Sequence, residues 1–298
     1  MAADLNPATG ASAVVVQRAE FVRDVETSAY GVVVKPLTFG ERLFNLGFVR
    51  KCLILVFLAV LWETYARFLQ NPLLFPTFGD TLTAFWENIR NGVLFQRGAF
   101  SVGVLLKGYA IGLTLAALLT AAAIMTRIGN DILETLTSMF NPLPAIALLP
   151  LALIWFGLGD KSVIFVLVHS VLWAVALNTH SGFRSVSQTM RMVGRNYGLS
   201  GPAFVLKILM PAAFPSILTG MKIGWAFAWR TLIAAELVFG VSSGQGGLGW
   251  FIYENKNQLD IPAVFAGLFS VILIGLVVES FIFQNIEKAT VRRWGMQS

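Results

Sequence analysis

Long apolar runs separated by short polar segments are the main pattern of this chain. Each run has about 20 residues, the length that a helix needs to cross the hydrocarbon of a bilayer. A helix also satisfies its own backbone hydrogen bonds there, which an open strand cannot do. The pattern predicts an all-α integral membrane protein with six spans, at about residues 50–69, 99–125, 132–157, 163–177, 214–240 and 263–283.

The third run contains three prolines, Pro142, Pro144 and Pro150. Proline lacks a backbone donor and its ring clashes with the preceding turn, so we expect this span to kink or break. Irregular backbone is tolerated at membrane depth only against protein or a wet cavity. Neighbouring helices should therefore supply partners for the freed carbonyls. The second run is rich in Gly and Ala, which allows close approach between helices.

Composition agrees with a membrane protein. The 298 residues are 56% hydrophobic and only 13% charged, against roughly 25% charged in soluble domains, and the mean hydropathy is +0.71. The net charge of +6 does not indicate nucleic acid here, because most of the 22 Lys and Arg residues fall in alternate polar segments. This positive-inside bias predicts that both termini are cytoplasmic.

The bias also divides the chain. We predict a cytoplasmic N-terminal tail at 1–48, a six-helix transmembrane domain at 49–287 and a cytoplasmic C-terminal tail at 288–298. Within the domain, 70–98 and 241–261 are predicted as outer loops, and 186–213 as a cytoplasmic loop. The loop 70–98 should contain a short amphipathic helix after its Pro and Gly breakers.

The loop 186–213 has the pattern of a short helix, a Gly turn and a second short helix that Pro211 ends. We interpret it as a rigid cytoplasmic knob. Its apolar residues would fill a groove on a partner protein, and its basic residues would form the rim. The apolar anchors are Tyr197, Leu199, Phe204, Val205 and Ile208, and the rim is Arg191, Arg195 and Lys207.

This loop resembles the EAA loop of permease subunits of bacterial ABC importers, because Gly198, Ile208 and Pro211 have its spacing. The sequence departs from that loop at 192–194, where Met, Val and Gly replace Glu-Ala-Ala, and at Met210, which replaces Leu. The stretch 141–162 and the stretch WRTLIAAE at 229–236 are similar to segments of the sulfonate, taurine and nitrate branch. In the second span Val104 stands where that branch often has Arg. The resemblance covers about residues 50–295.

The resemblance implies a type I ABC importer permease fold in a bacterial inner membrane. It further implies a homodimer, two ATPase subunits that carry ATP and Mg on the cytoplasmic side, and a substrate-binding protein on the outside. The solute would be a small anion such as a sulfonate, taurine or nitrate, moved by alternating access. The implied coupling-loop residues are Arg191, Gly194, Arg195, Tyr197, Gly198, Leu199, Phe204, Lys207, Ile208 and Pro211.

An ion-coupled secondary transporter without an ATPase is the alternative; it would need no knob and would usually contain inverted repeats. We expect no catalytic residues, bound cofactor or metal site in this chain. GQGGLG at 244–249 is interpreted as a flexible outer loop and not a dinucleotide site, and GDKS at 159–162 lacks the Gly of a Walker A loop. His169 and His180 are expected to pack in the core.

Charged residues of the fifth span indicate a further function, because ionisable groups are costly within a membrane. Lys222, Trp225, Trp229 and Glu236 fall on one stripe of a helix with 100° per residue, whereas Arg230 lies about 120° from Glu236. We hypothesise that this helix lines the solute pathway at a two-fold interface, where Arg230 compensates an anion. The alternative, of equal weight, is structural ion pairing between spans or anchoring of the broken third span.

Overall fold

Helices account for almost every described residue of the chain. The structure is a computed structural model that describes residues 45–239, 246–293 and 295. No strand forms within these ranges, so the all-α prediction is confirmed for them. Most of the predicted tail 1–48 and the start of the predicted loop 241–261 lie outside the described residues.

The helices follow one another through short connections. In chain order they are α1 (Gly47–Leu69), α2 (Phe78–Arg90), α3 (Val93–Met125), α4 (Arg127–Phe140), α5 (Leu149–Phe156), α6 (Asp160–Ser185), α7 (Gln188–Asn196), α8 (Gly201–Val238), α9 (Leu248–Asn257) and α10 (Ile261–Arg292). A 3-10 turn, Ala145–Leu148, precedes α5. The short helix expected within 70–98 is α2.

Five of these helices, α1, α3, α6, α8 and α10, are long and apolar enough to cross a membrane. The bent pair of α4 with α5 makes a sixth span if it is taken as one. The six predicted spans are confirmed in this sense. Several helices run past the predicted ends: α6 continues to Ser185 and α10 to Arg292, because helical hydrogen bonding does not have to stop where the apolar run does.

The chain divides into two units within α1, one up to Leu55 and the other Val56–Ser298. The described part of the first unit is the start of α1, with mostly exposed apolar side chains. In the second unit, the remainder of α1 is held by aromatic contacts. Trp62 lies 5.7 Å from the ring of Phe75 and donates its indole N–H to the carbonyl of Pro76 at 2.9 Å.

The predicted break in the third span is a 90° bend between α4 and the Ala145–Phe156 segment. Pro142 and Pro144 lie at the bend, whereas Pro150 lies in the first turn of α5, where the missing N–H costs no helical bond. Pro150 therefore begins the second arm instead of breaking the span. The hydroxyl of Ser162 on α6 lies 2.5 Å from the carbonyl oxygen of Gly157 and 3.1 Å from that of Ala152. The neighbouring helix therefore bonds the end of the second arm. These are not the carbonyls four residues before each proline, so partners for those carbonyls stay a prediction.

Helix α6 lies at the centre of the second unit, between α3 and α8, and contributes many of its buried side chains. Small residues of α3 allow the close approach. A Cβ atom on Gly112 would lie 2.7 Å from the Cβ of Val171, whereas one on Gly103 would meet nothing within 4 Å. Only some of the small residues that the sequence offers are therefore at a helix contact.

Gly112→Ala tests this contact. The added methyl group collides with Val171 on α6, and overpacking of this kind typically costs about 1–3 kcal/mol. Gly103→Ala is the matched control, since it gains up to about 1 kcal/mol of helix propensity without a collision. We expect the thermal unfolding midpoint of the purified chain in detergent to fall for Gly112→Ala only. Equal midpoints for the two variants would contradict the packing of α3 on α6.

Candidate functional site

The predicted knob forms two helical arms joined by a glycine turn, α7 and the start of α8. At the end of α7, Leu199 donates to the carbonyl of Gly194 at 3.0 Å, and Gly198 donates to that of Arg195 at 2.9 Å. These two bonds make a Schellman motif, which needs a left-handed residue. Gly198 supplies it with a φ of 72°. The first arm and its turn therefore match the sequence pattern; below, residues 188–209 are called the knob.

The prediction that Pro211 ends a second short helix is wrong. Helix α8 continues from Gly201 through Pro211 to Val238. A wider π turn at Val205–Leu209 comes just before the proline, and Met210 donates to the carbonyl of Val205, five residues back. This widening lets the helix accommodate a residue without an N–H. The second arm of the knob is consequently the first part of a spanning helix.

The two arms pack directly on each other at Gly194. A Cβ atom there would lie 2.8 Å from Phe204 and 2.9 Å from Ile208, so no larger residue fits without separating the arms. Phe204 and Val205 also pack against a small core that contains Phe183. Like Leu199, these three apolar residues are partly buried. They hold the knob together. The sequence interpretation of these residues as free anchors for a partner is therefore wrong.

The apolar surface that the knob presents is a different set. Tyr197 is the only predicted anchor that is fully exposed, at 81%. Met192, Val193 and Leu206 are also exposed, and the sequence interpretation missed them. The sequence held no clear signal for them, because which face of each arm is exposed depends on the contact between the arms at Gly194. Arg195 and Lys207 are exposed beside this surface, as a rim requires.

Arg191 points back into the protein. Its Nη2 atom donates to the carbonyl of Phe183 at 2.5 Å, and its Nε atom to that of Val186 at 3.2 Å. These carbonyls belong to the C-terminal end of α6 and its cap residue, where a cation is favourable because the helix dipole is negative there. Arg191 therefore fastens the knob to α6 instead of forming part of its rim.

The predicted stripe on α8 faces other helices of the same chain. Lys222 forms an ion pair with Glu287 of α10, with Nζ 2.5 Å from Oε2. Trp225 packs edge-on against Tyr109 of α3 at 5.3 Å. The indole of Trp229 donates to the carbonyl of Val271 at 3.3 Å. The stripe exists as predicted, and it joins α8 to α3 and α10.

Glu236 anchors the segment that follows α8. Its carboxylate is 6% exposed and accepts hydrogen bonds from the hydroxyl of Ser101 (2.8 and 3.0 Å) and the N–H of Gly249 (2.8 Å). The same hydroxyl accepts the N–H of Leu248 at 2.9 Å. A Cβ atom on Gly247 would collide with both Glu236 and Ser101. A carboxylate near the end of a span followed by closely spaced glycines was the signal for this site.

Arg97 strengthens the same anchor from the start of α3. Its guanidinium donates to the carbonyl of Gly246 at 2.8 Å and pairs with Glu254 of α9 at 3.2 Å. Residues 246–249 are buried and bonded, so the interpretation of GQGGLG as a flexible loop is wrong for its described part. The first two glycine-motif residues, 244 and 245, lie outside the described residues.

Arg230 lies on the other side of α8 from the stripe and is exposed. Its guanidinium carbon is 5.6 Å from the centre of the Phe227 ring, a cation–π distance. The sequence argument that Arg230 and Glu236 cannot share a face is confirmed by these positions. Of the three charged residues that the sequence selected on the predicted fifth span, Lys222, Arg230 and Glu236, Arg230 is the exposed one.

Other motifs have structural roles. The GDKS stretch at 159–162 forms the start of α6, with Ser162 bonded to carbonyls of the preceding turn. In the ranges that the structure describes, no group of three His, Cys, Asp or Glu side chains is placed to hold a metal ion. His180 is buried, and His169 is partly buried beside Phe140 and Trp173.

Comparison with known proteins finds relatives among transport permeases. The chain is 30% identical over 224 residues to a putative ABC transporter permease of Methanocaldococcus jannaschii, which covers 74% of this chain and 83% of that protein. It is 30% identical over 204 residues to a putative aliphatic sulfonates transport permease, SsuC, of Escherichia coli K12, covering 68% and 76%. It is 32% identical over 150 residues to the taurine transport permease TauC of the same strain, covering 50% and 53%.

A whole family also matches the chain. The family described as the binding-protein-dependent transport system inner membrane component matches residues 108–290, which include α6, the knob, α8, α9 and nearly all of α10. This range is more than half of the chain. Across the described residues, five helices, or six spans if the bent pair is one, are long and apolar enough to cross a membrane. The chain is thus an integral membrane protein that belongs to the family of binding-protein-dependent transport system inner membrane components.

Proposed function

We propose that this chain is the permease subunit of an ATP-driven importer for a small organic anion, with two copies forming the transport unit. Two ATPase subunits bind the knobs on the cytoplasmic side, where both termini also lie. A substrate-binding protein docks on the outer side, at 70–98 and 241–261. The observation that carries this proposal is the knob, a rigid two-armed surface built into the ends of two central helices.

The knob is placed to transmit movement. Its second arm is continuous with α8, and its first arm is bonded through Arg191 to the end of α6. A displacement of the knob by an ATPase would therefore move α6 and α8 together. An ion-coupled secondary transporter needs no such part, and the family match also favours a system with a binding protein.

The anion class rests on two supports. Relatives are named for aliphatic sulfonates and taurine, and Arg230 is a cation on the exposed side of a spanning helix. We place the solute pathway along this side of α8, where a second copy would complete it. Lys222, Trp229 and Glu236 have partners within the chain, so we assign them to holding the helix in place.

The outer docking surface has its own support. Glu236, Ser101 and Arg97 hold the segment 246–257 against the start of α3. A binding protein that presses on this segment would thus act on α3 and α8 directly. Rigid attachment at this end and at the knob would couple solute delivery on one side to ATP use on the other.

Tyr197→Ala tests the ATPase contact. The side chain is exposed, so its loss should leave the thermal unfolding midpoint unchanged, whereas loss of a central aromatic anchor typically weakens association by about 2 kcal/mol. Phe68→Ala is the control, because that side chain is 84% exposed but lies at the end of α1. We expect less ATPase to co-purify with Tyr197→Ala only. Unchanged co-purification would contradict the assignment of this surface.

Arg191→Lys tests transmission separately from binding. Lysine keeps the charge but cannot reproduce the forked contact to two carbonyls. We expect ATPase co-purification to persist while solute uptake by reconstituted vesicles falls about tenfold, in line with the loss of a charge-assisted bond. Arg184→Lys is the control, since its ion pair with Glu134 is exposed and tolerates lysine. Equal uptake by the two variants would show that the hydrogen bonds of Arg191 to the end of α6 play no part in transmitting movement to the spans.

Arg230→Ala tests the pathway. We expect uptake of the anion to fall at least about tenfold while ATPase co-purification and the unfolding midpoint stay unchanged, because the exposed guanidinium supports no helix contact. Lys222→Ala, in contrast, should lower the unfolding midpoint, because it leaves the partly buried Glu287 without its lysine partner. Normal uptake by Arg230→Ala would remove the arginine from the pathway.

A further inference from the structure

A cavity of about 280 Å³ lies beside the break in the third span. Its walls come from the bend at 141–146, from His169, Ser170 and Trp173 on α6, and from Phe227 and Thr231 on α8. All these lining residues are uncharged. The cavity therefore lies between the bend of the third span and the two central helices, and it is partly open.

Three buried polar atoms at this cavity have no hydrogen-bond partner among the residues that the structure describes. Among the described residues, neither ring nitrogen of His169 nor the indole nitrogen of Trp173 has a hydrogen-bond partner. Trp173 is only 7% exposed. Buried polar groups are nearly always bonded in folded proteins, and each exception calls for an explanation. An occupant of the cavity that accepts hydrogen bonds would partner the indole N–H of Trp173 and the one N–H of a neutral His169.

The aromatic packing holds these groups in place. Phe140, the last residue of α4, stacks on Trp173 with ring centres 5.5 Å apart and planes 11° apart. His169 packs edge-on against both rings, at 6.3 and 6.1 Å. The indole and imidazole are thus held by packing and not by hydrogen bonds. A site with preset donors loses little side-chain entropy when a ligand binds.

The surroundings favour an anion with a short apolar body. Tryptophan can only donate, and a neutral imidazole offers one donor. Phe227, which lines the cavity, also lies under the guanidinium of Arg230. Ile146 and the ring of Phe227 provide apolar contacts for a short carbon chain. The volume lies at the small end of ligand sites, which excludes large solutes.

From these observations we propose that the cavity is a binding site for a small organic sulfonate within each subunit. One sulfonate oxygen accepts the indole N–H of Trp173 and another accepts an N–H of His169, while the carbon chain lies against Phe227. This inference rests on the proposed import function and assigns it a resting place for the solute. The site then depends on the break in the third span, because the bend at 141–146 forms one wall of the cavity.

Titration of the purified full-length chain in lipid nanodiscs with ethanesulfonate and with taurine tests the site. We expect saturable binding by calorimetry, weakened at least about tenfold by Trp173→Phe, which removes one N–H and keeps the stacked ring. Trp225→Phe is a matched control, because its indole nitrogen is also buried without a partner in the described chain but lies outside the cavity. That variant should bind as the unchanged chain does.

His169→Phe is the second variant, since it preserves the aromatic packing and removes both ring nitrogens; we expect a similar loss of affinity. An equal loss for Trp173→Phe and Trp225→Phe would overturn the proposal, as would the absence of saturable binding by either probe. A high-resolution map with ethanesulfonate present that shows only water in the cavity would also overturn it.

These tests distinguish failure of the cavity as a binding site from failure of the proposed import function. If binding persists but no ATPase associates with the chain, the cavity stands and the importer assignment falls. If reconstituted importer takes up sulfonate normally with both Trp173→Phe and His169→Phe, the importer stands and the cavity falls.

Discussion

Every backbone polar group within a membrane must find its partner inside the protein, and much of this structure follows from that constraint. Where the third span ends, Ser162 of the next helix bonds the carbonyl of Ala152 in α5 and that of Gly157, the residue after α5. Where α6 ends, Arg191 bonds its last carbonyls. Where α9 begins, Glu236 and Ser101 receive its first N–H groups. Side chains on neighbouring helices thus stabilise irregular backbone, and these bonds also join the helices to one another.

Such bonds suit the mechanical role that we propose for the knob. Its arms are held together by the Gly194 contact and its turn by Gly198. It is joined to α8 through the continuous helix and to α6 through Arg191. A part with so few independent movements can pass a displacement from its surface into the spans. The exposed residues, Tyr197 and Leu206 among them, are then left free to contact a partner.

Much of the fold could be predicted from the sequence because its physical causes are local. Span lengths follow from apolar runs, the bend follows from Pro142 and Pro144, and the turn of the knob follows from Gly198. Contacts between distant segments could not be predicted in the same way. Nothing in the order of residues shows that Phe204 and Ile208 face Gly194, or that Arg191 reaches back to Phe183. The prediction that Pro211 ends a helix was wrong because a π turn at Val205–Leu209 lets the helix continue past the proline.

The sequence by itself determined that the chain is helical, crosses a membrane about six times and carries a polar loop with a glycine turn. These features follow from hydropathy, proline and glycine, whose effects act within a few residues. Tertiary structure decided which side chains of that loop are exposed and which are packed. It also decided that Lys222 pairs with Glu287, that Glu236 binds the start of α9, and that Arg230 remains at the surface. These outcomes depend on how α3, α8 and α10 pack, and helix packing is set by contacts between residues far apart in the chain.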